Sequence, residues 1–158
     1  MPDKNSHLKK AEKNFSFLNL IKDSEYNDWK ITVSFYTALH ILNAYIIEKT
    51  GNHYRTHVEV EQAINPYNVL SLAKIEEDVY VAYMALSNLS RRSRYMIHEK
   101  SSNKSIETFL IYDKHVDKAY RHLDKLISFS EQYHISFRKM QIQNIGIKQN
   151  ELKYFIKH

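Results

Sequence analysis

Between Trp29 and Ile46 the chain carries apolar side chains at Trp29, Val33, Phe35, Tyr36, Leu39, Leu42, Tyr45 and Ile46, spread around a helix rather than along one stripe. A helix of that kind must be covered from more than one side. The segment predicted to form it, from about Glu25 to Lys49, is therefore either the centre of a bundle or shared with a second subunit. Two glycines and two prolines in 158 residues supply few tight turns, so hairpin-rich β architectures are disfavoured and long helices run uninterrupted. The expected fold is all-α, an up-and-down bundle of four to five helices. The length suits one domain, long enough to bury about two-thirds of its unfolded surface without covalent staples.

The other helices follow from spacing and caps. Leu8, Ala11, Phe15 and Leu18 recur at helical intervals and predict a first amphipathic helix from about His7 to Lys22. Gly51-Asn52 ends the apolar second helix, and Thr56 with Glu59 three residues later forms a capping-box pattern opening a short helix, His57 to Ile64. Asn65-Pro66 stops it. Leu72, Ile75, Val79, Ala82, Leu86, Leu89 and Ser93 form a seam with steps of three and four, predicting a helix from about Val69 to Ile97. A polar loop, Glu99 to Lys104, precedes a last long helix from about Tyr112 to His134, with a short helix near Glu151 to Lys157. Residues 1–134 are read as the bundle and 135–158 as a basic C-terminal extension of the same domain.

Composition narrows the chemistry. Without cysteine there is no disulfide framework, thiolate nucleophile or cysteine zinc site. No stretch approaches the ~20 apolar residues that span a bilayer, so no membrane partner and a cytoplasmic location are expected. Of the formal charge of +5, the tail from Ile135 holds a net +4, because Arg138, Lys139, Lys148, Lys153 and Lys157 face only Glu151. The tail is read as a partly ordered solvated extension, with an RNA-contacting arm as the alternative.

Tyr36, His40 and Asn43 make a polar line on the apolar second helix, and buried polar groups need partners. Either His40 is a hydrogen-bonded core histidine, or His40 and His57 flank one groove that takes a phosphate or a base. Arg91 and His98 are seven residues apart and return to nearly the same helix face, with Arg94 four before His98. Arginine clamps phosphate bidentately and histidine moves protons near neutral pH, so Arg91, Arg92 and His98 are the candidate catalytic set for metal-independent RNA cleavage. The alternative for these arginines is to finish the helix, where cations are favoured by its dipole. No His-Glu-x-x-His spacing or glycine-rich phosphate loop occurs, so no metal and no cofactor are expected.

Three pieces, Phe35-Tyr36-Thr37-Ala38-Leu39-His40, Thr56-His57 and Arg94-Tyr95, together resemble the HEPN family, in its branch with a Tyr-Tyr-Ala-x-x-His type helix, a Ser/Thr-His and a closing Asp/Arg-Tyr. The resemblance covers about residues 7 to 134. It implies a helical bundle that binds RNA or a nucleotide, forms a homodimer, and serves beside a nucleotidyltransferase-type partner or in a defence, toxin-antitoxin or RNA-processing system. Tyr36, His40, His57, Arg91, Arg94 and Tyr95 are the ligand-binding candidates. Ribonuclease members of the family use an Arg followed after four to six residues by His, which Arg91 or Arg92 with His98 meets loosely. Arg92 follows Arg91 and Ser93 follows Arg92, where the family usually has Asn, Asp or His. A domain that only assembles with a partner is the third reading.

Overall fold

The computed structural model describes residues 1–95, 111–133 and 136–157. Helix α1 (Lys4–Ile21) starts at Asp3, whose carboxylate accepts the Ser6 amide at 2.7 Å, and it turns Ala11, Phe15 and Leu18 inward. Helix α2 (Asn27–Thr50) follows and buries fifteen of its 24 residues. Gly51 closes it at φ +73°, donating its N–H to the Ile47 carbonyl at 2.8 Å, the left-handed cap that glycine adopts without strain. Helix α3 (His57–Ile64) has the expected capping box: Thr56 accepts the Glu59 amide and Glu59 accepts the Thr56 amide. Helices α4 (Glu77–Tyr95) and α5 (Asp113–Ser130) complete the bundle, and a single 3-10 turn (Glu131–Tyr133) extends α5.

Every other helix packs on α2, and α4 also packs on α5. The expectation of a helix covered from more than one side is met within one chain. Trp29, counted as apolar cover, instead lies 60% exposed at the first turn of α2. Among the described residues no helix is long and apolar enough to cross a membrane.

Two expectations are corrected. The fourth helix does not begin near Val69; residues 65–76 form an irregular loop, and Leu72 of the predicted seam is exposed. Local bonds compete with the helix there. Asn65 and Asn68 side chains accept the amides of Tyr67 and Leu70, Ser71 donates to the Gln62 carbonyl, and the Ala73 and Ile75 amides return to the Ala63 and Ile64 carbonyls. The second correction concerns the tail, which forms no helix near Glu151. It adds β1 (Met140–Ile142) and β2 (Phe155–Lys157), a parallel pair in register Met140 to Phe155 and Ile142 to Lys157, so the fold is a helical bundle with a small β element.

That element is part of the core. Phe137, Met140, Ile142, Ile147, Tyr154 and Phe155 are all buried, Phe155 stacks on Tyr120 of α5 at 4.5 Å, and its edge meets Phe15 of α1. Gly146 lies so close to Asp117 that a Cβ would overlap its carboxylate, which Asn144 holds at 2.6 Å. Phe155→Ala should lower stability by about 3 to 5 kcal/mol through the cavity it leaves. Gly146→Ala should cost about 1 to 3 kcal/mol through overpacking. Urea denaturation checks both, and a tail that is only a solvated extension would leave the midpoint unchanged.

Candidate functional site

The C-terminal turn of α4 is fixed to the first half of α2 by short side chains. Ser93 donates to the Asp28 carbonyl at 2.9 Å and its Oγ lies 3.4 Å from Thr32 Oγ1. This anchoring sets Arg94 over α2. Its Nε donates to Ser90 Oγ at 3.0 Å and its Nη1 to Tyr36 Oη at 3.1 Å and Tyr95 Oη at 3.3 Å. The guanidinium carbon stands 4.8 Å from the Tyr95 ring centre, 5.4 Å from that of Tyr36 and 5.6 Å from that of Phe35. Cations over aromatic faces gain about 0.5 to 2 kcal/mol, more when water is excluded.

His57, the first residue of α3, closes the other side. Its ring meets Phe35 edge-on at 5.1 Å and Tyr36 at 5.9 Å. The capping box of Thr56 and Glu59 fixes the α3 N-terminus at this point, and the ring contacts with Phe35 and Tyr36 hold the imidazole there. Burial, and secondarily the charge of Arg94, lowers the His57 pKa below its ordinary value. The ring is a neutral imidazole near pH 7.

The chemistry of this face is that of an anion site beside aromatic surfaces. A guanidinium has five donors, and the described bonds of Arg94 occupy Nε and Nη1, leaving those on Nη2 without a partner among the described residues. No carboxylate among the described residues lies within ion-pair distance of it. Tyr95, 59% exposed, opens the face to solvent, whereas Phe35 beneath is fully buried.

Four of the predicted ligand-binding residues, Tyr36, His57, Arg94 and Tyr95, therefore come together. His40 does not join them. It faces α1, where its Nδ1 lies 2.8 Å from Nδ1 of His7, so the reading in which His40 and His57 flank one groove is replaced by the core-histidine alternative. The physical reason is that α1 packs over this part of α2 and supplies the partner His40 needs. Asn43, the third member of the polar line, bonds its own helix at the Leu39 carbonyl. Arg91 is exposed and Arg92 half-buried in the last turn of α4. His98 lies outside the described residues, and with it the Arg91 or Arg92 pairing expected for catalysis.

Sequence reasoning missed Ser90 and Phe35 as supports of Arg94. Ser90 was readable, lying four residues before Arg94 on the same helix face. The contributions of His7 and His53 to the environment of His40 depend on long-range packing and had no local signal. Among the described residues no three histidine, aspartate or glutamate side chains are arranged to hold a metal ion. No family model, curated protein or solved structure matches this chain.

The proximity of Arg94 to His57 has a measurable consequence. With its folded pKa depressed, His57 contributes stability that is complete above the unfolded value of about 6.5 and is lost as pH falls through the folded value. In Arg94→Gln the His57 pKa should rise towards about 6.5, followed by NMR titration of the imidazole carbon-bound protons. An identical titration in both proteins would place the guanidinium elsewhere.

Proposed function

We propose that this chain is a HEPN-like domain that binds RNA or a nucleotide through the face built by Tyr36, His57, Arg94 and Tyr95. The observation that carries the reading is the held guanidinium of Arg94, oriented by Ser90 and Tyr36, backed by aromatic rings and facing no carboxylate among the described residues. A phosphate can accept charge-assisted hydrogen bonds from the Nη2 donors, which have no partner among the described residues, and a neighbouring base stacks on an exposed tyrosine such as Tyr95. The N-terminus of α3 beside it adds a favourable partial charge for an anion. Of the three pieces on which the family resemblance rests, Phe35 and Tyr36 of the first lie at this face with His57 and Arg94-Tyr95, which supports the reading, while His40 of the first piece bonds His7 instead.

The ligand class is a phosphate adjacent to a base, shared by free nucleotides and single-stranded RNA. Fluorescence anisotropy with labelled RNA and with a fluorescent nucleotide, both in EDTA, separates the two. Arg94→Gln should weaken binding about 10- to 100-fold, the worth of one or two charge-assisted hydrogen bonds. Binding that survives the change intact would overturn the proposed face. Cleaved RNA with cyclic-phosphate ends, abolished in His98→Ala, would instead establish the ribonuclease reading. Absence of binding to either probe would favour a partner-assembly role.

A further inference from the structure

His7 of α1, His40 of α2 and His53 of the segment between α2 and α3 lie together, away from the Arg94 face. The His7 and His40 rings are 5.1 Å apart between centres and joined through their Nδ1 atoms at 2.8 Å; the His7 and His53 rings are also 5.1 Å apart. His7 is only 6% exposed, and neither its Nε2 nor His53 Nδ1 has a hydrogen-bond partner among the described residues. We propose that this histidine cluster is an acid-operated latch that holds the N-terminal turns of α1 on α2 while its rings are neutral and releases them when they are protonated.

The bond between two Nδ1 atoms needs one nitrogen as donor and the other as acceptor. Two neutral rings satisfy it, as does a pair sharing one added proton. Full protonation turns both nitrogens into donors and the bond is lost. Among the described residues no carboxylate forms an ion pair with His7 or His40. On α1, Asp3 favours protonation of His7 from the N-terminal end, while Lys10 opposes protonation of His40; from the loop, His53 opposes both. The Lys4–Glu48 ion pair, at 2.5 Å, ties the same two helices at their exposed edge.

Burial, and then the neighbouring histidine and lysine charges, lowers His40 to about 4, and burial followed by His53 lowers His7. Both folded values lie below the unfolded one, so the latch is fully closed above about pH 6.5 and weakens as pH falls through the folded values. Release of residues before Ala11 uncovers the α2 surface around His40 while Phe15 and Leu18 keep the rest of α1 in the core.

His57, His115 and His122 also have lowered pKa values, so acid sensitivity of the whole fold does not isolate the latch. Amide hydrogen exchange resolves it by helix. After correction for intrinsic rates, amides of the first turns of α1 should exchange at least about 10-fold faster at pH 5 than at pH 7, the equivalent of one pKa unit, while those of α5 keep their protection. His7→Asn, which retains a side-chain hydrogen bond but does not titrate, should reduce the α1 change to less than about 2-fold. Equal loss of protection in α1 and α5, or an α1 response unchanged by His7→Asn, would overturn the proposal. If that variant is unstable, NMR titration of wild-type His7 and His40 decides it, since ordinary values near 6.5 would remove the latch.

Discussion

Burial of α2 is the constraint on which the rest of the structure depends. Fifteen of its residues are buried, and the helix still carries Thr32, Ser34, Thr37 and Asn43 among them. Ser34, Thr37 and the Asn43 amide nitrogen each donate to a carbonyl four residues back, at 2.7, 2.8 and 3.3 Å, while the Asn43 Oδ1 has no partner among the described residues. Tyr36 and His40 are too long to do so. Their polar atoms reach off the helix to Arg94 on α4 and His7 on α1. The Arg94 and His7 clusters thus arise where a central apolar helix carries polar groups that its own backbone does not satisfy.

The tail enters the same economy of burial. Phe137, Met140, Ile142, Ile147, Tyr154 and Phe155 cover α1 and α5 on sides that α2 does not reach. Much of its basicity is already engaged: Lys153 pairs with Glu131 at 2.7 Å, and Lys157 donates to the Ile145 and Ile147 carbonyls. Arg121 of α5 holds Glu151 and the Gly146 carbonyl, so even the single acid of the tail fastens it to the bundle. A net charge read along the chain does not reveal this, because it counts cations without their partners.

What was legible in the sequence was whatever depends on neighbours along the chain. The α3 capping box, the Gly51 stop and the inward positions Ala11, Phe15 and Leu18 rest on spacing alone, and each stands where spacing places it. The start of α4 was not legible, since Leu72 and Ile75 fit a helical seam while Asn65, Asn68 and Ser71 offered the backbone other partners. Periodicity ranks side chains by face and is blind to that competition. Likewise Phe155 and Ile156 were assigned to a helix because two three-residue strands leave too short an alternation to recognise. At the site, Arg94 and Tyr36 were identifiable as polar groups needing partners, but that they need each other depends on how α4 lies on α2.

At the Arg94 face, Arg92 and Arg94 lie in the last described turn of α4, and Ser90 Oγ holds the Arg94 Nε at 3.0 Å. The N-terminus of α3, with His57 at its first position, adds partial positive charge beside it. His57 remains neutral because it is buried beside that guanidinium, so the fixed positive charge identified at this face belongs to Arg94 and is graded from the buried ring of Phe35 to the exposed ring of Tyr95. An arginine merely finishing a helix needs neither the serine behind it nor the aromatic bed beneath it; both limit its rotamers, and that restriction would lower the entropy cost of the proposed ligand on its Nη2 side.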